Sequence, residues 1–174
     1  MIKDEYKRVC DTPGDINENL HWLMELSKEC KHVTEMGVRA IVSTWAFLEG
    51  LKGRDTKLVS IDITNPRAYG GNLALVEQLA KEEGVDFTFR EEDTRLIDIE
   101  ETDLLFIDTE HTYVVLQNEL NRHSDKARKY IAFHDTVSCE SALMPAINEL
   151  LDRGVWKIKA DHKNNNGLMI LERC

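Results

Sequence analysis

Acidic residues and histidines lie directly after apolar runs that have the length of β-strands. One cluster, D-T-E-H-T-Y at 108–113, follows the run 104–107, and a second, H-D-T at 134–136, follows the run 130–133. Carboxylate oxygens suit a hard divalent ion such as Mg²⁺, imidazole nitrogens suit a softer metal, and either group can move a proton. Alternatively, the histidines are hydrogen-bonded loop residues and the aspartates cap the helices that follow. The candidate catalytic residues are Asp108, Glu110, His111 and His134, and the candidate metal ligands are Asp108, His134 and Asp135.

Three earlier strand ends also carry groups that can hold a small polar ligand. Residues 35–44 form a strand–loop–helix unit in which Gly37 lets a ligand approach the backbone, although a dinucleotide site usually has two or three glycines. Asp62 ends the next strand, where a carboxylate can accept hydrogen bonds from a ribose diol. The segment E-D-T at 92–94 follows the strand after that. The alternative for each acid is a solvated loop residue or a helix cap.

These clusters are positioned by alternating apolar strands and amphipathic helices. Strands that are almost wholly apolar belong to a parallel sheet, because only burial of both faces removes the polar alternation. The predicted strands are 32–36, 58–63, 86–89, 104–107, 130–133, 155–160 and 168–172, and the predicted helices are 16–30, 42–51, 73–83, 113–122 and 142–153. The pair Asn166-Gly167 favours a tight turn between the last two strands. The predicted fold class is α/β, a Rossmann-like doubly wound, mainly parallel seven-stranded sheet that ends in an antiparallel β-hairpin.

The composition indicates one globular domain with an acidic surface. The 174 residues include 22 Lys and Arg against 32 Asp and Glu, a formal net charge of -10. Such a surface does not favour nucleic acid or anionic lipid, because both bind clustered Lys and Arg. The four cysteines have no metal-binding spacing, and neither a signal-peptide pattern nor a run of about 18 apolar residues occurs. We expect a cytoplasmic protein that acts on a small molecule, without nucleic-acid or membrane partners.

No linker or repeat divides the chain. We expect an N-terminal helical segment at 1–31 and a ligand-binding region at 32–174, within a single domain. The segment 16–30 carries apolar residues at helical spacing. This helix could cover a substrate or form a dimer contact, so a homo-oligomer stays an open alternative.

Three motifs resemble those of class I S-adenosylmethionine-dependent methyltransferases, most closely the small-molecule O-methyltransferases grouped with cephalosporin hydroxylase-like proteins. The first loop of that family is similar to E-x-G-x-x-x-G-x-S-T, and this chain has E-M-G-V-R-A-I-V-S-T at 35–44. The family patterns F-I-D-x-x-H-x-Y and I-A-F-H-D-T match 106–113 and 131–136. The resemblance extends from about residue 32 to the C-terminus, and the family's sheet also ends in a hairpin.

The resemblance implies S-adenosylmethionine as the cofactor and suggests how it is held. Glu35 and the first loop would hold the methionine part, Asp62 the ribose hydroxyls and Asp93 the adenine amino group. The expected cofactor-binding residues are Glu35, Gly37, Arg39, Ser43, Thr44, Asp62, Asp93, Thr94 and Asp108.

The implied function is methylation of a hydroxyl on a sugar, phenol or natural product. In metal-dependent relatives, the positions matched by Asp108, His134 and Asp135 hold a divalent ion, so Mg²⁺ or another divalent cation is a second expected cofactor. Ile41 stands where the family has its second glycine, and its branched side chain is expected to crowd the cofactor. This favours the alternative of a catalytically inactive binding or interaction module. A third hypothesis is a non-haem iron oxygenase that uses Asp108, His111 and His134.

Overall fold

Seven strands form one sheet that carries helices on both faces. The computed structural model of the protein describes all 174 residues. The strands are β1 (His32–Met36), β2 (Thr56–Asp62), β3 (Val85–Glu91), β4 (Thr102–Ile107), β5 (Ala127–His134), β6 (Trp156–His162) and β7 (Leu168–Arg173). The helices are α1 (Ile2–Asp11), α2 (Leu20–Lys28), α3 (Ser43–Leu51), α4 (Leu73–Glu82), α5 (Tyr113–His123) and α6 (Glu140–Leu151). None of these helices combines the length and the apolar character needed to span a membrane.

The strand order is β3-β2-β1-β4-β5-β7-β6, which confirms the predicted fold class. β1 pairs in parallel with β2 and β4, β2 pairs in parallel with β3, and β4 pairs in parallel with β5. β7 is antiparallel to both β5 and β6, so the second strand of the terminal hairpin lies next to β5. The strand order reverses between β1 and β4, and doubly wound sheets bind ligands at such a switch point.

Both faces of the central strands are buried, which explains their apolar sequences. On β4, Leu104 and Phe106 belong to one core cluster, whereas Leu105 and Ile107 belong to the other. The first cluster includes residues of α1 to α4, and the second includes residues of α5 and α6. Residues 92–101 connect β3 to β4 without a helix, so the second face has fewer helices than the first.

The N-terminal segment differs from the single predicted helix at 16–30. The sequence does not predict α1, because only Ile2 and Val9 are buried on it and most of its other residues are charged or polar. A 3-10 turn at Asn17–Asn19 precedes α2, which is therefore shorter than predicted. α2 packs against α3, and Leu20 is fully buried in the first core cluster. This helix is thus part of the core rather than a mobile cover.

Helices α2 and α3 approach each other closely at Gly50. A Cβ atom there would overlap the carbonyl oxygen of Met24 and lie 2.5 Å from Ser27 Oγ. Although alanine favours a helix over glycine by about 1 kcal/mol, Gly50→Ala should lower the free energy of unfolding by about 2 kcal/mol, because the contact has no room for a methyl group. Urea unfolding measures this loss. Gly14→Ala is the control, because the nearest atom to its Cβ is Thr12 O at 4.0 Å; a gain in stability at Gly50 would contradict the close approach.

Candidate active site

A cavity of about 360 Å³ lies at the carboxyl ends of β1, β2 and β4, beside the switch point. Its volume is in the range of small-molecule sites, but such sites are mostly apolar and only 4 of these 18 lining residues are hydrophobic. The carboxylates of the lining are Asp15, Asp62, Asp93, Asp108, Glu110, Glu119 and Asp135. The cavity therefore favours a ligand that carries hydroxyls, amino groups or a positive charge.

Asp62 shapes the loop that follows β1. Its Oδ2 accepts hydrogen bonds from the backbone N–H groups of Val38, at 2.8 Å, and Arg39, at 3.0 Å. Its Oδ1 accepts one hydrogen bond, from the backbone N–H of Thr64 at 2.8 Å. A carboxylate oxygen has two lone pairs, so Oδ1 can still accept a hydrogen bond from a ligand hydroxyl.

Glu35 is fully buried behind this loop and does not line the cavity. Its carboxylate accepts hydrogen bonds from Ser43 Oγ (2.5 Å), Thr44 Oγ1 (2.8 Å) and Ser60 Oγ (2.5 Å). Burial raises the pKa of Glu35 to about 7, against the opposing effect of these hydrogen bonds. The contacts tie the first turn of α3 to β1 and β2, so Glu35 supports the loop from behind.

Ile41 adopts the left-handed backbone conformation that glycine usually provides. Its φ is +63°, which costs an L-residue on the order of 1–2 kcal/mol. The side chain is 2% exposed and packs in the first core cluster next to Gly71, where a Cβ would lie 2.9 Å from Ile41 Cδ1. Ile41 does not line the cavity. The branched side chain points into the core and not into the cavity, which does not favour the crowding expected from the sequence.

Two carboxylates beside β3 and α5 are engaged with protein groups. Asp93 Oδ1 accepts from Arg95 Nε at 2.9 Å and Oδ2 accepts from the Arg95 guanidinium at 2.7 Å, and this bidentate pair lowers the pKa of Asp93. Glu119 accepts hydrogen bonds from Thr94 Oγ1 (2.5 Å) and Thr109 Oγ1 (2.8 Å), while burial raises its pKa. These pairs form a polar wall of the cavity.

Two histidines and two aspartates form a compact cluster, called here the His–Asp cluster, at the ends of β4 and β5. His111 Nε2 lies 3.3 Å from Asp108 Oδ1 and 2.9 Å from Asp135 Oδ2. His134 Nδ1 lies 3.3 Å from Asp108 Oδ1 and 3.1 Å from Asp135 Oδ2. Each imidazole therefore contacts both carboxylates, His111 from the cavity and His134 from the protein interior.

The close charges of the His–Asp cluster shift the pKa values of its members. Hydrogen bonds to the two carboxylates raise the pKa of His111 to about 10. Burial lowers the pKa of His134, but the same carboxylates outweigh burial and raise it to about 10. Burial likewise opposes ionisation of Asp108 and Asp135, yet hydrogen bonds from the histidines hold both carboxyl pKa values below their usual range. Without a bound ion, the two carboxylates therefore favour the protonated form of both imidazoles.

Asp135 has a left-handed backbone conformation and one fixed carboxylate oxygen. Its φ is +58°, and residues held in this region at a cost often belong to functional sites. Oδ1 accepts hydrogen bonds from Asn166 Nδ2, at 3.0 Å, and from Ser138 Oγ. The other oxygen, Oδ2, faces the two histidines.

The turn of the terminal hairpin, residues 164–167, contacts the segment between α1 and α2, residues 12–19, which is called here the N-terminal loop. This contact lies next to the His–Asp cluster. The backbone N–H of Glu18 donates to Asn165 Oδ1 at 2.9 Å. His134 Nε2 faces the backbone carbonyl oxygens of Asp15, at 3.0 Å, and Asn165, at 3.4 Å. Two regions far apart in the sequence thus meet at the buried side of the cluster.

The cavity gathers nine of the thirteen candidate residues. These are Gly37, Arg39, Asp62, Asp93, Thr94, Asp108, Glu110, His111 and Asp135. The other four do not line it and are buried: Glu35, Ser43, Thr44 and His134. Glu35, Ser43 and Thr44 therefore support the loop between β1 and α3 from behind and do not contact the cavity.

The cavity also has lining residues that the sequence does not identify. Asp15 comes from the N-terminal loop, and its Oδ2 accepts a hydrogen bond from the Arg39 guanidinium at 2.8 Å. Ile63 and Tyr69 line the cavity although 64% and 53% of their surfaces are exposed. Ile63 directly follows Asp62 at a predicted strand end, which is a local signal for this edge of the sheet, whereas nothing local marks Asp15.

No protein-family model and no curated protein matches this chain. Solved structures do match it. The S-adenosylhomocysteine-bound methyltransferase PaMTH1 of Podospora anserina has a TM-score of 0.69 at 11% identity, over 99% of this chain and 87% of that chain. A putative caffeoyl-CoA O-methyltransferase of Staphylococcus aureus has a TM-score of 0.69 at 13% identity, over 98% and 90%. An O-methyltransferase of Bacillus cereus in complex with S-adenosylhomocysteine has a TM-score of 0.65 at 12% identity, over 99% and 90%.

This likeness extends over nearly the whole chain and agrees with the strand order and the terminal hairpin. The protein therefore has the fold of class I S-adenosylmethionine-dependent O-methyltransferases, as the sequence motifs imply. At identities of 11–13% the likeness concerns the fold.

Proposed function

We propose that the protein transfers the methyl group of S-adenosylmethionine to an oxygen of a small molecule. The observation that carries this proposal is the acidic cavity at the switch point of a methyltransferase fold, with the His–Asp cluster in its wall. PaMTH1 and the Bacillus cereus protein, which share this fold, were solved with S-adenosylhomocysteine bound. The acceptor is a hydroxyl of a sugar, a phenol or a natural-product intermediate.

The cavity offers a complementary group to each part of the cofactor. Gly37 lines the cavity where the methionine part would lie, and Arg39 supplies a guanidinium for its carboxylate. Asp62 Oδ1 has a lone pair for a ribose hydroxyl. Asp93, which the family resemblance assigns to the adenine amino group, also lines the cavity, and the acidic lining favours the sulfonium charge.

Methyl transfer is an in-line displacement in which the acceptor oxygen forms a C–O bond as the C–S bond breaks. The sulfur leaves as a neutral thioether, and the acceptor's hydroxyl proton passes to a base. Glu110 fits this role by geometry, because it is exposed and lines the cavity next to the His–Asp cluster. His111 and His134 already face two carboxylates. Alignment of donor and acceptor can lower the barrier by several kcal/mol.

The His–Asp cluster also has a donor set that fits a divalent cation. One donor atom from each of Asp108, His111 and Asp135 lies within 4.8 Å of the other two, and all three residues line the cavity. Atoms this close can share an ion at bond lengths of about 2.0–2.2 Å. When bound, the ion supplies a positive charge that lowers the pKa of an acceptor hydroxyl. The proposal therefore includes Mg²⁺ or another divalent cation as a second cofactor.

Calorimetric titration with S-adenosylmethionine and S-adenosylhomocysteine tests the cofactor site. We expect micromolar binding of both, and Asp62→Ala should weaken it at least about tenfold, because Asp62 shapes the loop and faces the ribose. No binding of either compound would contradict the proposal and favour a methyltransferase-fold module without catalysis. Formation of S-adenosylhomocysteine with a panel of phenols and sugars then tests methyl transfer.

The variant Ile41→Gly tests whether the side chain of Ile41, in the loop between β1 and α3, affects cofactor binding. We expect the cofactor Kd to change less than about threefold, because the side chain faces the core. The free energy of unfolding should fall by about 2 kcal/mol, because the lost burial outweighs the relieved backbone strain. Calorimetry and urea unfolding measure the two effects. Binding that became tenfold tighter would show instead that Ile41 crowds the cofactor.

A further inference from the structure

We propose that His111, rather than His134, is the imidazole ligand of the divalent cation held by Asp108 and Asp135, and that this site prefers Co²⁺ or Zn²⁺ to Mg²⁺. The inference rests on the metal-assisted part of the proposed function and names the ion class. It departs from the pattern of metal-dependent relatives, in which the position of His134 supplies a ligand.

His111 occupies the position of a ligand that faces the substrate. Its Nε2 lies 2.9 Å from Asp135 Oδ2 and 3.3 Å from Asp108 Oδ1. Adjacent donors around one ion, at bond lengths of about 2.0–2.2 Å, are about 2.8–3.6 Å apart. The three residues line the cavity, so an ion between them would be open to an acceptor on the cavity side.

His134 occupies the position of a group that orients the carboxylates from behind. Its side chain is 1% exposed and does not line the cavity. Its Nδ1 is about as close to the two carboxylates as His111 Nε2 is, but it approaches them from the side away from the cavity. Its Nε2 faces Asp15 O at 3.0 Å, and its Nδ1 faces Asp108 Oδ1 and Asp135 Oδ2. His134 is therefore a positioning residue that holds both carboxylates toward the cavity.

The donor set of two carboxylates and one imidazole determines the class of ion. Mg²⁺ prefers an all-oxygen set, whereas imidazole suits first-row transition ions such as Co²⁺ and Zn²⁺. The iron oxygenase hypothesis needs the reverse set, two imidazoles and one carboxylate. The structure does not favour that hypothesis, because only one of the two imidazoles lines the cavity.

Titration of the full chain with Co²⁺, after metal removal with a chelator and without S-adenosylmethionine, tests the proposal. Calorimetry gives the affinity, and the visible absorption of bound Co²⁺ reports its ligands. We expect Co²⁺ to bind at least about 100-fold more tightly than Mg²⁺. His111→Ala should weaken Co²⁺ at least about tenfold and change the absorption spectrum. The control His21→Ala, at an exposed position on α2, should change neither.

The variant His134→Gln tests whether His134 is a metal ligand or a positioning residue. We expect weaker Co²⁺ binding with an unchanged absorption spectrum, because the ligands stay the same. Because His134 is buried, circular dichroism checks that His134→Gln still folds. If His134→Gln does not fold, the result for His111→Ala tests the proposal by itself. A spectrum changed by His134→Gln and not by His111→Ala, equal affinities for Co²⁺ and Mg²⁺, or no Co²⁺ binding would overturn the proposal. Because no cofactor is present, failure here is distinct from failure of the cofactor titration.

Discussion

Replacing Gly37 by alanine should lower the free energy of unfolding by about 4 kcal/mol or more. The added Cβ would overlap the carbonyl oxygen of Asp108 and lie 2.5 Å from its carbonyl carbon. Both are backbone atoms at the end of β4, so no side-chain rotation can relieve the overlap. The φ of Gly37 is +87°, which adds backbone strain for any L-residue. Urea unfolding of the two proteins measures the loss.

The variant Gly84→Ala measures the cost of backbone strain alone, so that the cost of the overlap with Asp108 at Gly37 can be separated from it. Gly84 also has a positive φ, +77°, but a Cβ there would have no atom within 4 Å. Gly84→Ala should therefore cost only about 1 kcal/mol, the price of the left-handed conformation. An equal loss in both variants would show that β1 and β4 do not approach closely at Gly37.

The stability of the protein should fall as the pH rises through the titration of Glu35. Burial raises its pKa from the ordinary value of 4.5 to about 7 in the folded protein. The folded state therefore holds this proton more tightly, and the resulting stability is fully present below pH 4.5 and is lost as the pH rises through about 7. The loss amounts to about 3 kcal/mol, at about 1.4 kcal/mol for each unit between the two pKa values.

The variant Glu35→Gln removes this titration and keeps a side chain of the same shape. Relative to the wild type, Glu35→Gln should become more stable by about 3 kcal/mol between pH 4.5 and pH 8. Urea unfolding across this range measures the difference. For Glu77→Gln, at an exposed position on α4, the difference in unfolding free energy from the wild type should not change with pH. A flat difference for Glu35→Gln as well would mean that the Glu35 carboxyl keeps its ordinary pKa in the folded protein.

The fold was predictable where the sequence signal is local. The strand His32–Met36 has the predicted bounds, and the Asn-Gly turn lies between β6 and β7. The start of β5 at Ala127 was not predictable, because Arg128 and Lys129 are exposed charged residues that resemble a loop. The missed helix α1 has the same cause, since few of its residues are apolar and buried.

The candidate site was predictable as a location and less so in its details. Parallel strands end at one edge of the sheet, so Asp62, Asp108 and Asp135 had to lie near one another. The direction of each side chain depends on the alternation within its strand, and this alternation turns His134 toward the interior and away from the cavity. The resemblance to metal-dependent relatives named His134 as a ligand, whereas the structure places His111, and not His134, in the cavity lining beside Asp108 and Asp135.

The contact between the hairpin turn and the N-terminal loop has a consequence for synthesis on the ribosome. Glu18 and its partner Asn165 are 147 residues apart, so at about 5–20 residues per second the loop emerges roughly 7 to 30 seconds before the turn. During this interval a nascent chain lacks Asn166, which fixes one oxygen of Asp135. The ligand site is therefore completed late, and a ribosome-bound chain that has not yet made the hairpin should have β1 to β5 available for folding but no competent His–Asp cluster.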